Sequence, residues 1–354
     1  MKKHNFSAGP CILPDEVFHQ AARAVEELDG SGLSLIEISH RSAAFIDIMD
    51  NACALSLELL GLTGKGYKAL FLQGGASSQF IATAYNLLEN KGAYLNTGTW
   101  STKAIKEAKI LGEVVEVASS ADANFNYIPK EYSIPADADY LHITTNNTIF
   151  GTQIKNIPDS DTVLVSDSSS DIFSRELDFS KFGILYAGAQ KNMGPAGTTL
   201  VVVREDVLGK VTHSIPSMLD YEIHISKGSM FNTPPVFAVY TSMLTLEWLK
   251  NLGGIKAIET KNNAKADLIY REIDRNQLFK GFAAQEDRST MNATFTLEEA
   301  KLKERFDNMC TDALINGING HRSVGGYRAS MYNALPITAV QTLVDVMKEL
   351  ERTA

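Results

Sequence analysis

Four places in this chain carry groups suited to chemistry, and each directly follows a short apolar run. Lys191 sits in Gly188-Ala189-Gln190-Lys191-Asn192, after the run 183–187 and ahead of the turn Gly194-Pro195-Ala196-Gly197. Lysine is rarely buried without a partner or a task. An amine held out of water loses basicity and becomes a nucleophile, as Schiff-base formation requires. Asp167 ends the run 162–166, where a carboxylate is poorly solvated and calls for a cationic partner. Gly74-Gly75-Ala76-Ser77-Ser78 follows the run 68–72 and opens a helical pattern, so its N–H groups would suit a phosphate. Trp100 follows the turn Asn96-Thr97-Gly98, and its ring could stack on an aromatic ligand.

Each of these also has a plain structural reading. Lys191 could be a loop lysine facing water, and Asp167 a turn aspartate before Ser168-Ser169-Ser170. Trp100 could be a core tryptophan, and the glycine stretch an ordinary strand-to-helix turn. That stretch matches neither G-x-G-x-x-G nor G-x-x-x-x-G-K-[ST], which argues against a nicotinamide dehydrogenase. Together the four supply an amine, a carboxylate, a stacking ring and a phosphate cradle. That set complements pyridoxal phosphate: lysine for the aldehyde, aspartate for the ring nitrogen, an aromatic for the ring face, N–H groups for the phosphate.

The elements that must position them follow from hydrophobic patterning. Short apolar runs at 68–72, 93–96, 113–117, 139–144, 162–166, 183–187 and 198–203 predict strands. Helical spacing covers 77–88 and 103–111. Strands so separated imply an α/β fold with a mostly parallel sheet covered on both faces. Ligands then sit outside the carboxyl ends of the strands, where all four groups fall. Beyond about residue 235 the pattern changes. Helices are expected over 238–250, 255–273, 301–316 and 337–349, with a strand over 291–296, which reads as an appended α+β unit.

Composition narrows the class. With 354 residues, 44% hydrophobic and 21% charged, the chain reads as an ordinary globular protein large enough for two domains. Its 33 Lys+Arg against 42 Asp+Glu give a net charge of −9, which argues against nucleic acid or an anionic membrane as partner. Three scattered cysteines, Cys11, Cys53 and Cys310, form no disulfide or zinc pattern. No apolar run is long enough to span a membrane. With no secretory pattern at the start, the expectation is a cytoplasmic protein.

Several motifs resemble the phosphoserine aminotransferase family. They are Asn5-Phe6-Ser7-Ala8-Gly9-Pro10, Ser39-His40-Arg41-Ser42, Gly74-Gly75-Ala76-Ser77-Ser78-Gln79-Phe80, Tyr186-Ala187-Gly188-Ala189-Gln190-Lys191-Asn192, Gly194-Pro195-Ala196-Gly197, Phe231-Asn232-Thr233-Pro234-Pro235 and the block 320–330. The resemblance implies a fold-type I pyridoxal-phosphate transferase of the class V aminotransferases, with a large α/β domain over 15–245 and a small α+β domain made of 1–14 and 246–354. It implies a homodimer with shared active sites. By that likeness Lys191 carries the Schiff base, Asp167 pairs with the ring nitrogen, Trp100 stacks on the ring and Thr148 touches its hydroxyl side. Ala76, Ser77 and Gln190 hold the phosphate, joined by Asn232 and Thr233 of the other subunit. His40, Arg41, His321, Arg322 and Arg328 bind the anionic substrates, glutamate and 3-phosphohydroxypyruvate. The chemistry of those residues agrees, because guanidinium grips carboxylate and phosphate bidentately. The related 4-phosphohydroxythreonine reaction of vitamin B6 synthesis stays open.

Two positions depart from the pattern. Ala8 stands where some members have a serine that contacts substrate, and Ser77 where some have an arginine. Two rivals remain. A cysteine desulfurase needs a mobile cysteine, yet Cys310 lies in a helical pattern and Cys11 and Cys53 precede the sheet. A non-catalytic phosphate-binding module would leave Lys191 without a task.

Overall fold

The computed structural model describes residues 2–354. Seven strands form the central sheet: β1 (Tyr67–Leu72), β2 (Lys91–Asn96), β3 (Glu113–Ser119), β4 (Tyr140–Thr144), β5 (Val163–Asp167), β6 (Phe182–Gly188) and β7 (Thr199–Arg204). Their spatial order is β1-β7-β6-β5-β4-β2-β3. β7 runs antiparallel to both of its neighbours, and every other pair is parallel. The central strands are buried along their whole length, β4 and β6 at every residue. That is why they read as unbroken apolar runs rather than as alternation. β1, β2, β4, β5 and β6 share one direction, so their carboxyl ends meet along one edge.

Helices cover both faces. α1 (Asp15–Glu26), α2 (Ala43–Leu59), α3 (Gly75–Leu87), α4 (Thr99–Ala108) and α5 (Val236–Asn251) belong to this unit. Val17 of α1, Phe45 and Met49 of α2 and Leu246 of α5 pack against Phe71, Leu141 and Leu185. On the other face Phe80 of α3 and Ile105 of α4 meet Tyr140, Val165, Tyr186 and Val201. Neighbouring residues such as Tyr140 and Leu141 thus serve opposite cores, as strand geometry requires.

A second core lies beyond. α6 (Gly254–Arg275), α7 (Lys303–Asp312) and α8 (Ile337–Thr353) pack on an antiparallel sheet of β8 (Phe279–Gly281), β9 (Asn292–Leu297) and β10 (Tyr327–Ser330). Phe279, Phe295, Phe306 and Tyr327 are buried there with Ile269, Leu343 and Met347. The amino terminus joins this unit. His4–Asn5 pairs in parallel with Ile315–Asn316, and Phe6 is fully buried in the same cluster. α6 serves both cores, with Ile255 and Ile258 in the first and Ala266, Ile269 and Ile273 in the second.

Two expectations need correction. The helix expected over 301–316 stops at Asp312, after a 3-10 turn at Ala300–Leu302. Leu314 turns the chain at φ +59°, and Ile315–Asn316 extend to meet the amino-terminal strand. Long-range pairing overrides the helical pattern at this point. The helix expected over 103–111 begins at Thr99, because the Ser101 hydroxyl accepts the Thr97 and Gly98 N–H groups, each at 3.0 Å. Trp100 therefore sits in a helical first turn rather than at a strand end. α1 and α2 were not anticipated.

A buried amide chain ties the sheet edge to the second unit. Asn146 Nδ2 donates to Asn292 Oδ1 at 2.8 Å, and Asn292 Nδ2 donates to Ser330 Oγ at 3.0 Å. Asn292→Leu takes one of two acceptors from Asn146 Nδ2, which keeps Ser170 Oγ, and the donor from Ser330 Oγ, both in a dry interior. The expected cost is about 1–3 kcal/mol, read as a lower midpoint in urea unfolding; an unchanged midpoint would show the chain to be dispensable.

Candidate active site

The carboxyl edge of the sheet gathers most of the residues singled out above. β6 ends at Gly188 and runs straight into a helical turn, Ala189–Asn192, that carries Lys191. The turn is pinned from outside: the Asn333 N–H donates to Asn192 Oδ1 at 2.9 Å. Lys191 Nζ donates to Thr148 Oγ1 at 3.0 Å and lies 5.2 Å from the centre of the Trp100 ring. Burial holds its pKa below the ordinary lysine value and the Arg328 charge adds to this, while Asp167 opposes both. Asp167, the last residue of β5, is 5% exposed and accepts the Ser169 N–H at 3.0 Å. Burial raises its pKa, against the opposing pull of Lys191 and Ser169. Each group is thus pressed toward its neutral form by dry surroundings and held toward its charged form by the other.

At the end of β1, Gly74 adopts φ +94°, and a side chain there would collide with Ser78. The chain turns sharply and α3 starts at Gly75. The first N–H groups of a helix have no internal acceptor, so those around Ala76 and Ser77 are free for an anion. Ala76 is half-buried and Ser77 exposed. Thr233, exposed, and Asn232, half-buried, stand beside this turn. Within the same chain, the Thr233 carbonyl accepts from Gln73 Nε2. Gln190, half-buried, folds back toward Gly188, where an added Cβ would come within 2.7 Å of Gln190 Oε1.

Arg328 reaches in from β10, and its Nη1 donates to the Thr148 carbonyl at 3.4 Å. His321 Nδ1 accepts the Ser323 N–H at 3.3 Å, which places the ring proton on Nε2. Its pKa is lowered by burial first and then by Arg328, Arg322 and Lys103. Lys103, not among the residues that sequence motifs single out, lies 4.7 Å from the Trp100 ring centre. Its place one helical turn after Trp100 was the available signal. His40 and Arg41 precede α2, and Arg41 is exposed. Among the described residues no hydrogen bond or ion pair joins either side chain to the Lys191 group, so the single chain does not bring these two to it.

Cys11 was read as lying ahead of the sheet, clear of the chemistry. The structure instead brings it to Lys191. Its N–H donates to the Gln190 carbonyl at 3.1 Å, and its thiol donates to the Lys191 carbonyl. Burial pushes the thiol up to about 12, so it is a protonated clamp and not a thiolate nucleophile. Gly9 lies against Lys191 at φ +146°, a conformation that favours glycine; an added Cβ would meet Lys191 Cγ at an ordinary contact distance of 3.4 Å. Ala8 contributes its carbonyl, which accepts from the Tyr332 hydroxyl at 2.8 Å.

Three buried polar atoms here have no partner: Trp100 Nε1, Thr144 Oγ1 and Arg328 Nε. Unsatisfied polar atoms gathered at one place mark a site built for something else. An amine beside a hydroxyl, a carboxylate behind it, an indole and a free helix start fit pyridoxal phosphate.

A family profile described as aminotransferase class-V matches residues 3–343. The chain belongs to the class V aminotransferases. The chain is 65% identical to the phosphoserine aminotransferase of Flavobacterium psychrophilum, over 99% of both chains. With that of Bacteroides fragilis the identity is 56%, again over 99% of both. Its fold superposes on a PLP-bound phosphoserine aminotransferase from Trichomonas vaginalis with a TM-score of 0.93, 36% identity, and coverage of 98% of this chain and 100% of the other. This aminotransferase is a fold-type I transaminase that uses pyridoxal phosphate. Among its described residues no helix is long and apolar enough to cross a membrane.

The cations around His321 can be tested directly. Replacing Lys103 and Arg322 together by Met removes two positive charges, which favours the imidazolium. The His321 titration midpoint, read by NMR, is expected to move up toward the ordinary value near 6.5; no movement would show that burial and Arg328 set it without the other two cations.

Proposed function

We propose that this aminotransferase moves the amino group between glutamate and 3-phosphohydroxypyruvate, giving O-phosphoserine and 2-oxoglutarate, a step of serine biosynthesis. The observation that carries the reading is Lys191 Nζ held on the Thr148 hydroxyl, with Asp167 buried behind it. The names of the full-length relatives supply the substrate pair.

Ala76, Ser77 and Gln190 would hold the cofactor phosphate, Trp100 its ring face, Thr148 its hydroxyl side and Asp167 its ring nitrogen. Bound there, pyridoxal phosphate supplies an aldehyde for amines and a ring that accepts the electron pair left when a Cα–H bond breaks. The remaining work belongs to the chain. Burial lowers the Lys191 pKa against the pull of Asp167, which suits Nζ to take the proton from substrate Cα and return it. Thr148 holds that amine in place while it waits. Arg328 presents a planar fork to the α-carboxylate. Arg322 and Arg328 raise the positive potential where the phosphate of the acceptor would lie, and the His321 Nε2–H is placed to donate to it.

His40 and Arg41, unengaged in their own chain, would serve the site of a second copy, as would Asn232 and Thr233. Exposed apolar side chains flank both segments: Leu33 and Ile36 before His40, Phe231 and Phe237 around Thr233. Covering them against an identical chain would bury apolar area and complete two sites in one homodimer.

A coupled assay with glutamate and 3-phosphohydroxypyruvate tests the reading, with pyruvate and glyoxylate as rival acceptors. Turnover with the phosphorylated acceptor is expected to dominate; equal or greater turnover with pyruvate would overturn the assignment. Lys191→Ala removes both nucleophile and base, and the expected loss exceeds the ~10²–10⁴ of a general base alone. Arg328→Gln is expected to lower kcat/KM by about 10–100-fold, the worth of a charge-assisted hydrogen bond, while the purified variant keeps its cofactor absorbance.

A further inference from the structure

Thr144 closes β4 and is the in-register partner of Asp167, which closes the neighbouring parallel strand β5. In-register residues of a parallel pair point to the same face of the sheet, and the strands lie about 4.8 Å apart. Asp167 has a second in-register neighbour, Tyr186 on β6. That hydroxyl is committed elsewhere, sharing a hydrogen bond of 2.7 Å with His142 Nε2. The residue just after β4, Thr145, is committed as well, its Oγ1 donating to Asp171 Oδ1 at 2.5 Å. Thr144 alone among these is uncommitted. It is 2% exposed, and its Oγ1 has no partner. Asp167 correspondingly takes one side-chain hydrogen bond, on Oδ1 from Ser169. A buried donor without an acceptor thus faces a buried carboxylate with accepting capacity to spare, one strand spacing apart.

Resting on the cofactor-site reading above, we propose that Thr144 is a positioning residue: its hydroxyl donates to the Asp167 carboxylate when that carboxylate is ionised against the cofactor ring nitrogen. A threonine side chain exchanges its hydroxyl and methyl positions by one χ1 step, so the bond forms without moving the strand. The donated hydrogen bond favours the charged carboxylate, opposing the burial that raises the Asp167 pKa. It also fixes which way the carboxylate plane faces. Asp167 touches the ring, and Thr144 acts only through Asp167.

Thr144→Val keeps the shape and the strand preference and deletes the hydroxyl; Thr144→Ser restores a hydroxyl. The full-length chain, stripped of cofactor, is titrated with pyridoxal phosphate and with its 1-deaza analogue, whose ring carries C–H in place of the nitrogen. Thr144→Val is expected to weaken pyridoxal phosphate by about tenfold, the worth of one hydrogen bond to a charged group. Its affinity for the deaza analogue should stay within about twofold, and Thr144→Ser should bind both as the wild type does. Equal weakening toward both ligands in Thr144→Val, or no weakening toward either, overturns the inference while the cofactor site stands. A wild-type chain that binds pyridoxal phosphate without engaging Lys191 overturns the site reading and this inference with it.

Discussion

The opposed burial of Lys191 and Asp167 is the constraint on which the rest of the structure depends. Water would solvate either charge at little cost; a dry sheet edge does not. Each therefore depends on the other and on a few fixed dipoles, Thr148 Oγ1 for the amine and the Ser169 N–H for the carboxylate. Holding a buried carboxylate beside a half-buried amine requires rigid neighbours. The chain meets that need with strands buried on both faces and with a site whose walls come from both cores.

The second unit contributes to the first chiefly through polar contacts. The Asn333 N–H pins the Lys191 turn through Asn192, Arg328 docks on the Thr148 carbonyl, and the Tyr332 hydroxyl holds the Ala8 carbonyl. All three come from β10 and the segment just after it. The amino-terminal segment completes the enclosure, with Cys11 bonded to the backbone of Gln190 and Lys191. Arg328, proposed as the substrate grip, is thus mechanically continuous with the Lys191 amine.

The sheet and the heart of the site were legible because burial on both faces leaves an unmistakable mark. The strands carrying Asp167 and leading to Lys191 are continuous apolar runs, and a charged residue ending such a run stands out. Cys11, Thr144 and Lys103 were not legible, and for a common physical reason. Their significance lies in which distant atom they meet, and neither spacing nor residue type encodes that meeting. Ile315–Asn316 failed in the same way: the sequence carries a helical pattern, and only the partner strand at His4–Asn5 makes the extended form preferable. The domain limit expected at residue 245 falls inside α5, and α6, which follows it, packs in both cores, so no compositional break marks that junction.

The reversed strand β7 has a consequence of its own. It lies between β1, which ends at the glycine turn, and β6, which ends at the lysine turn, while its own carboxyl end points the other way. The glycine turn and the lysine turn are therefore held two interstrand steps apart, roughly 10 Å, with only the short connection 193–198 that enters β7 between them on that edge. Backbone hydrogen bonding, which tolerates little stretch, serves as a ruler that fixes how long a molecule must be to touch both ends.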